Sequence, residues 1–400
     1  MQALTWSRSE SSHRQGCVSV KFQANRDVFS EAVSFAVKLL PQRTTLPILS
    51  GVLIETSDGG LTLSSFDYEV SARTEIAAEV EEPGRVLVSG RLLAEIASRL
   101  PNAPVQFETQ DSHVLVRSGS ASFTLLSMPV EEYPTVPEID SASGLVPADD
   151  FSAAVSQVAV AASRDDVTPV ITGVQLEITG NRIGLVATDR YRVAVREIDW
   201  DASDSGIETA TALVPARTLQ EIGKTLGHGG TISVAITNKD DRELIAFTAD
   251  KKTITSLLIK GNFPPVRRLF PDTVENYAVM NTGELIEAVR RVSLVLEREA
   301  ALRFTFSPDG LTLEAIGSEQ AQASESIDAL LTGAETVVSL KPQFLLDGLS
   351  AVHSEYVRIS FTKTDNPNKP GPVLITSQSS RDQSGSDSYK YLLQPNLLLR

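Results

Sequence analysis

Apolar side chains recur along the chain in two alternating rhythms. Phe29, Ala32, Val33, Ala36, Val37 and Leu40 fall at i, i+3, i+4, i+7, i+8 and i+11, the spacing that gathers side chains on one face of a helix. Val52 and Ile54, then Leu61 and Leu63, recur at the two-residue period of strands. The helical rhythm returns at Phe151, Ala154, Val155, Val158, Ala159 and Ala162, and again at Leu285, Ala288, Val289, Val292 and Leu296. Together with their surroundings, these patterns predict helices over 26–40, 90–100, 149–164, 216–226, 284–299 and 341–352. Pro308-Asp309-Gly310 has the chemistry of a hairpin turn. The C-terminal run Tyr391-Leu392-Leu393 lacks alternation, which predicts a docked strand buried on both faces.

The rhythms belong to a repeat. FSEAVSFAVKLL at 29–40 reappears as FSAAVSQVAVAA at 151–162, and at the same offset Pro47 matches Pro169, Gly51 matches Gly173 and Asp67 matches Asp189. VSGRLLAEIASRL at 88–100 then faces VPARTLQEIGKTL at 214–226, after a small insertion. A third, weaker copy has its first helix near 284–297 and its second at 340–352, with Leu345 in the place of Leu219. Each copy reads helix, strands, helix, strands, so the fold class is α+β with three tandem similar domains. Pro-rich joints at 131–144 and 263–273 set the expected organisation: an extension over 1–20, then domains over 21–140, 141–272 and 273–400.

Composition narrows the function. Lys plus Arg number 36 against 51 Asp plus Glu, a net charge of -15, which taken evenly argues against a nucleic-acid coat. The charge is not even, since the six predicted helices carry 11 basic and 11 acidic residues. Either the helices share one side and present a surface that is not acidic, or they simply carry balanced i, i+4 pairs. The single Cys17 excludes an internal disulfide and multi-cysteine metal sites. The four histidines are scattered, and no metal or cofactor is expected. No apolar run reaches the roughly 18 residues of a membrane span, and the polar first 17 residues do not resemble a secretory signal, so a cytoplasmic location is expected. Gly227-His228-Gly229-Gly230 lacks the Lys-Ser/Thr of a phosphate loop, and Asp149-Asp150 suits a helix cap. No catalytic group can be singled out.

Two segments stand apart. ATDRYR at 187–192 puts two arginines and a tyrosine after a strand, and FPPVRRL at 263–269 combines prolines, apolar side chains and a basic pair. Both suit a rigid, partly apolar groove, and both are compatible with a plain linker.

RTTLPILSGVLIE at 43–55, ATDRYRVAV at 187–195, VPARTLQEI at 214–222 and FPPVRRLFP at 263–271, with the triple repeat, resemble the bacterial sliding-clamp family, the β subunit of DNA polymerase III. The resemblance covers roughly residues 20–400. It implies a non-catalytic processivity factor: a head-to-tail dimeric ring whose helices line a central channel around double-stranded DNA, with sheets outside. It implies as partners the replicative DNA polymerase, the clamp loader and other proteins carrying a short clamp-binding motif. The matching peptide-pocket positions are Ile171, Thr188, Arg190, Tyr191, Val193, Pro264, Arg268, Leu269, Phe344, Leu392 and Gln394. Arg43, Arg91 and Arg217 match DNA-facing positions, and Phe123 matches an interface residue that meets Leu294 and Val295 of the other chain. The family often has Gly-His where Arg190-Tyr191 stand, and Met where Gln394 stands. A specialised duplicate clamp with altered partner or inhibitor binding, a peptide-binding scaffold that encircles nothing, and an enzyme are the competing readings.

Overall fold

The computed structural model describes residues 19–397, except 41–43, 58, 140–141, 203–208, 240–241, 298–299, 317–320, 364–369, 382, 384 and 386–387. Most of the expected N-terminal extension therefore lies outside the described residues. The chain divides into two compact units, Met1–Pro137 and Glu138–Arg400.

In the first unit, helices Arg26–Val37 and Gly90–Arg99 pack on each other and on a run of antiparallel strands. The first helix starts where Asn25 Oδ1 accepts the backbone N–H groups of Asp27 and Val28, at 3.0 and 3.2 Å. Its apolar stripe is the core: Phe29, Ala32, Val33 and Ala36 are almost wholly buried with Val52, Ile54, Leu61 and Leu63. Burial of each large side chain is worth about 1.5–3 kcal/mol.

The second unit contains two copies of the pattern. Helices Ala148–Val158 and Ala216–Leu226 form one pair; Thr282–Val292 and Pro342–Ser350 form the other. A nine-stranded sheet joins the copies, in the order Thr209–Pro215, Gly173–Thr179, Arg182–Thr188, Arg192–Asp199, Tyr389–Leu393, Val373–Gln378, Tyr356–Phe361, Asn276–Asn281, Leu330–Thr332. The C-terminal strand Tyr389–Leu393 lies at its centre, paired on one side with Arg192–Asp199 and on the other with Val373–Gln378. Tyr391, Leu392 and Leu393 are buried, as the unbroken apolar run predicts. The Pro308-Asp309-Gly310 hairpin forms, with Ser307 opposite Gly310.

Three local expectations need correction. The helix expected over 284–299 ends at Val292, where the Ser293 hydroxyl bonds back to the Val289 carbonyl and a 3-10 turn follows. Leu296 is consequently off the helical stripe. Likewise the helix expected over 149–164 ends at Val158 and passes into a 3-10 turn at Ala159–Ala161. Asp149 caps no helix; its Oδ1 accepts the Gly229 N–H at 3.2 Å and so ties down the glycine loop.

Candidate functional site

The chemistry of the second unit gathers where its two copies meet. The strand Arg182–Thr188 turns back into Arg192–Asp199 through Asp189, Arg190 and Tyr191. Asp189 Oδ1 accepts the N–H groups of Tyr191 and Arg192, at 3.0 and 3.1 Å, while Arg190 sits at a left-handed φ of 78°. The first unit contains the same device. Asp67 Oδ1 accepts from Glu69 and Val70, at 3.0 and 2.7 Å, and Tyr68 has φ 74°. The Asp67–Asp189 match thus marks a repeated turn in which a non-glycine residue is forced into an unfavourable conformation. In the second unit the turn throws Arg190 and Tyr191 outward and Arg192 inward.

Arg192 is 8% exposed and is bonded on every nitrogen. Nε donates to Asp189 Oδ2 at 2.9 Å, Nη1 to Asp347 Oδ2 at 2.5 Å and to the Tyr391 hydroxyl at 3.1 Å, and Nη2 to the Val160 carbonyl at 2.8 Å. The Phe344 ring lies beneath it, 4.4 Å from guanidinium carbon to centroid. Burial works against its charge, but Tyr391, Asp347 and Asp189 outweigh burial and hold its pKa above the ordinary arginine value. Burial likewise pushes the Tyr391 hydroxyl up, with Arg192 opposing. Tyr391 fits because Gly348 has no side chain: a Cβ there would stand 2.6 Å from the ring.

The segment between the copies is pinned by its own arginine. Arg267 reaches back across three strands and bonds Glu177 on one side and Glu197 on the other, the latter at 2.9 Å. Glu177, Gly184 and Glu197 are cross-strand neighbours, and Gly184 leaves the space: a Cβ there would stand 2.3 Å from Arg267 Nη2. Fixed in this way, the 3-10 turn Val266–Leu269 buries Val266 against Val186, Val193, Val195, Leu374 and Leu392.

These elements enclose a cavity of about 340 Å³. Of the sequence-derived pocket positions, Ile171, Thr188, Arg190, Tyr191, Val193, Pro264, Leu269, Leu392 and Gln394 wall it. Val193 and Leu392 are partners across the join of the copies, and Gln394 donates its N–H to the Tyr191 carbonyl at 2.8 Å. The Gln394 side chain is exposed and its Nε2 donates to the Pro370 carbonyl at 3.1 Å. Phe344 walls an adjoining hollow of about 720 Å³ together with Arg164, Asp165 and Asp347, and stacks on Tyr191 with centroids 6.0 Å apart. Arg268 is exposed and walls neither cavity. The sequence reading missed Thr168, Val170, Arg192, Val266 and Pro372 as walls of the first. Val266 stood within the flagged segment 263–269; Pro372, distant in sequence, gave no signal.

The other expected residues lie apart. Arg91 and Arg217 are exposed, each the second residue of its helix; Arg43 lies outside the described residues. Phe123 is 36% exposed on the strand Ala121–Met128, beside Leu126 at 68%; Leu294 is 84% exposed on the turn after Val292, and Val295 is half-buried. Among the described residues no group of three or more His, Cys, Asp or Glu could hold a metal ion, and no helix is long and apolar enough to cross a membrane.

Three sequence families match consecutive stretches of the chain: the N-terminal domain of the DNA polymerase III beta subunit over residues 20–137, its central domain over 145–265 and its C-terminal domain over 267–382. A beta sliding clamp of Streptomyces coelicolor is 45% identical over 377 residues, 94% of this chain and 99% of that one. A beta sliding clamp homolog, GriR, of Streptomyces muensis is 39% identical over 376 residues, with the same coverage. The crystal structure of the Bacillus subtilis DNA polymerase sliding clamp superposes with a TM-score of 0.86 at 26% identity, covering 95% of this chain and all of that one.

Proposed function

The chain belongs to the bacterial DNA polymerase III β-subunit family, the sliding clamps, and from that premise we propose how its residues divide the work of a clamp. A clamp is a processivity factor with no catalysis of its own; it holds duplex DNA by topology and holds the polymerase by a peptide contact. We assign the domains as 21–140, 141–272 and 273–400, after an extension over 1–20, and the cytoplasm as the compartment.

The observation that carries the reading is the 340 Å³ cavity at the join of the second and third copies, with Thr188, Val193, Pro264, Leu269 and Leu392 on its walls. A short partner peptide with a Gln followed by apolar residues, Leu and Phe among them, fits those walls. Two such side chains contribute about 1.5–3 kcal/mol each before ordering losses. Arg190, at the rim, reaches peptide carbonyls or carboxylates. Arg268 faces solvent beside the cavity and meets only the flanks of such a peptide.

DNA requires weaker contacts. Arg43, Arg91 and Arg217 are assigned to phosphates, which carry no sequence information and leave the ring free to slide. Phe123 of one chain is assigned to Leu294 and Val295 of the other, closing a head-to-tail dimer. The test is retention on nicked circular DNA after loading, with linear DNA as the control. Protein that stays on circles and runs off linear ends fits a clamp. Replacing Arg43, Arg91 and Arg217 together by Glu is expected to shorten retention, and unchanged retention removes them from the DNA-facing surface.

A further inference from the structure

A second hollow, of about 420 Å³, opens on the same sheet as the peptide pocket and is walled by Arg182, Val195, Glu197, Arg267, Phe270 and Lys390, with Ser388 at its edge. Val195 stands two residues beyond Val193 on one strand, so both side chains project from one face, about 7 Å apart. Val193 and Leu392 wall the pocket, and Val195 belongs to the same buried apolar cluster, so the two cavities back onto one wall.

Two of the three cations of the hollow are paired. Arg267 is held between Glu177 and Glu197, and Arg182 is paired with Asp199. Lys390 is left over: it is half-buried, faces Val195 across the strands and has no carboxylate partner among the described residues. The three carboxylates Glu177, Glu197 and Asp199 equal the three cations in number, yet among the described residues none of them makes an ion pair with the half-buried Lys390 ammonium, which is free to take one more contact. Phe270 and Val195 supply apolar surface beside it.

We propose that this hollow receives an acidic side chain from the segment flanking the docked peptide, its carboxylate pairing with Lys390 and its methylenes lying on Val195 and Phe270. The proposal rests on the peptide-pocket reading and adds a chemical preference to it. Three or four extended residues span about 10–14 Å, enough to pass from the pocket over the shared wall.

The test uses the full chain and five labelled peptides of one apolar core: unflanked, with Asp-Asp at one end or at the other, and with Asn-Asn at one end or at the other. The Asp-flanked peptide, at one end, is expected to bind about fivefold more tightly than its Asn counterpart, the effect of about 1 kcal/mol. In Lys390→Gln the advantage is expected to fall below about twofold while the unflanked peptide keeps its affinity. Equal affinity for Asp and Asn flanks, or an advantage that survives Lys390→Gln, overturns the inference and leaves the pocket standing. No binding of the unflanked peptide removes the pocket reading and the inference with it.

Discussion

Arg192 and Asp347 meet at 2.5 Å although 155 positions separate them, and each is less than one-fifth exposed. One belongs to the second copy and the other to a helix of the third, so the pair fastens the join that shapes the peptide pocket. Losing one partner strands the other. Asp347→Ala leaves Arg192 with Asp189 as its one carboxylate, and Arg192→Ala takes from Asp189 and Asp347 the cation they share. Breaking such a buried pair costs about 3–5 kcal/mol. Arg192→Ala is expected to lower the denaturant midpoint of the second unit and to weaken peptide binding. Arg192→Lys restores the charge but not the fork, and recovers only part. A midpoint unchanged in Arg192→Ala excludes the pair as a fastener.

Arg190 tests the strain in the repeated turn. At φ 78° a non-glycine residue is unfavourable by about 1–2 kcal/mol, which glycine avoids at some loss of unfolded-state economy. Arg190→Gly is expected to raise stability by about 1 kcal/mol, read as a higher melting temperature. Tyr68→Gly, at φ 74° in the first unit, is the matched control. A fall in both says that the side chains contribute more than the backbone strain removes.

Much of this was legible before the structure. The repeat, the helix faces and the two unusual segments were visible because apolar spacing and turn chemistry are local. Asp67 and Asp189 stood out as a matched pair, and both make the same turn. The Arg192 node was not legible, because its partners Asp347, Tyr391 and Phe344 come from distant segments with no shared pattern. Arg267 and Arg268 are equal in sequence; Arg267 lies on the sheet between Glu177 and Glu197, in space that Gly184 leaves open. The overrun of the helix past Val292 has a similar cause. Leu296 keeps the helical rhythm, and the hydroxyl of Ser293 ends the helix before it.

The first unit offers a pH test. Tyr133 accepts the Phe66 N–H at 2.7 Å, and burial pushes its pKa up to about 12. An unfolded tyrosine titrates near 10. Below pH 10 both states hold the proton and stability is flat. Between about 10 and 12 the unfolded chain loses a proton that the folded one keeps, so stability falls with pH, by about 1.4 kcal/mol per unit at most. Tyr133→Phe is expected to reduce that alkaline slope in thermal unfolding of the full chain, while lowering stability at neutral pH by about 1 kcal/mol for the lost hydrogen bond. An identical alkaline slope in the variant rules Tyr133 out as the titrating group.

The dimer contact is tested by dilution. Phe123 is 36% exposed and Leu294 84%, large apolar surfaces that a partner chain would cover. Truncating a central interface aromatic costs about 2–4 kcal/mol. Phe123→Ala is expected to sediment near 43.1 kDa at concentrations where the parent protein sediments near twice that mass. A variant that stays dimeric on dilution places the interface elsewhere.

Gln394 bears on which peptides the pocket accepts. Its backbone N–H is fixed to Tyr191 and its side chain is held to the Pro370 carbonyl, so the amide forms a polar edge beside Leu392. A peptide that buries an apolar side chain at this edge must either displace the Gln394–Pro370 bond or leave the amide wet. Leaving a buried donor unpaired costs about 1–3 kcal/mol. Methionine has no such requirement and adapts its shape to the ligand. Gln394→Met is therefore expected to bind an unflanked Gln-Leu-Phe peptide several-fold more tightly, with the gain in slower dissociation. Because the Gln394 side chain is exposed, the substitution should leave the melting temperature within about 1 °C, which separates a change in the pocket from a change in the fold. Equal affinities in the two forms would place Gln394 outside the contact. Weaker binding by Gln394→Met would show that the peptide uses the amide as a partner, so that this pocket selects a polar group where most of the family selects an apolar one.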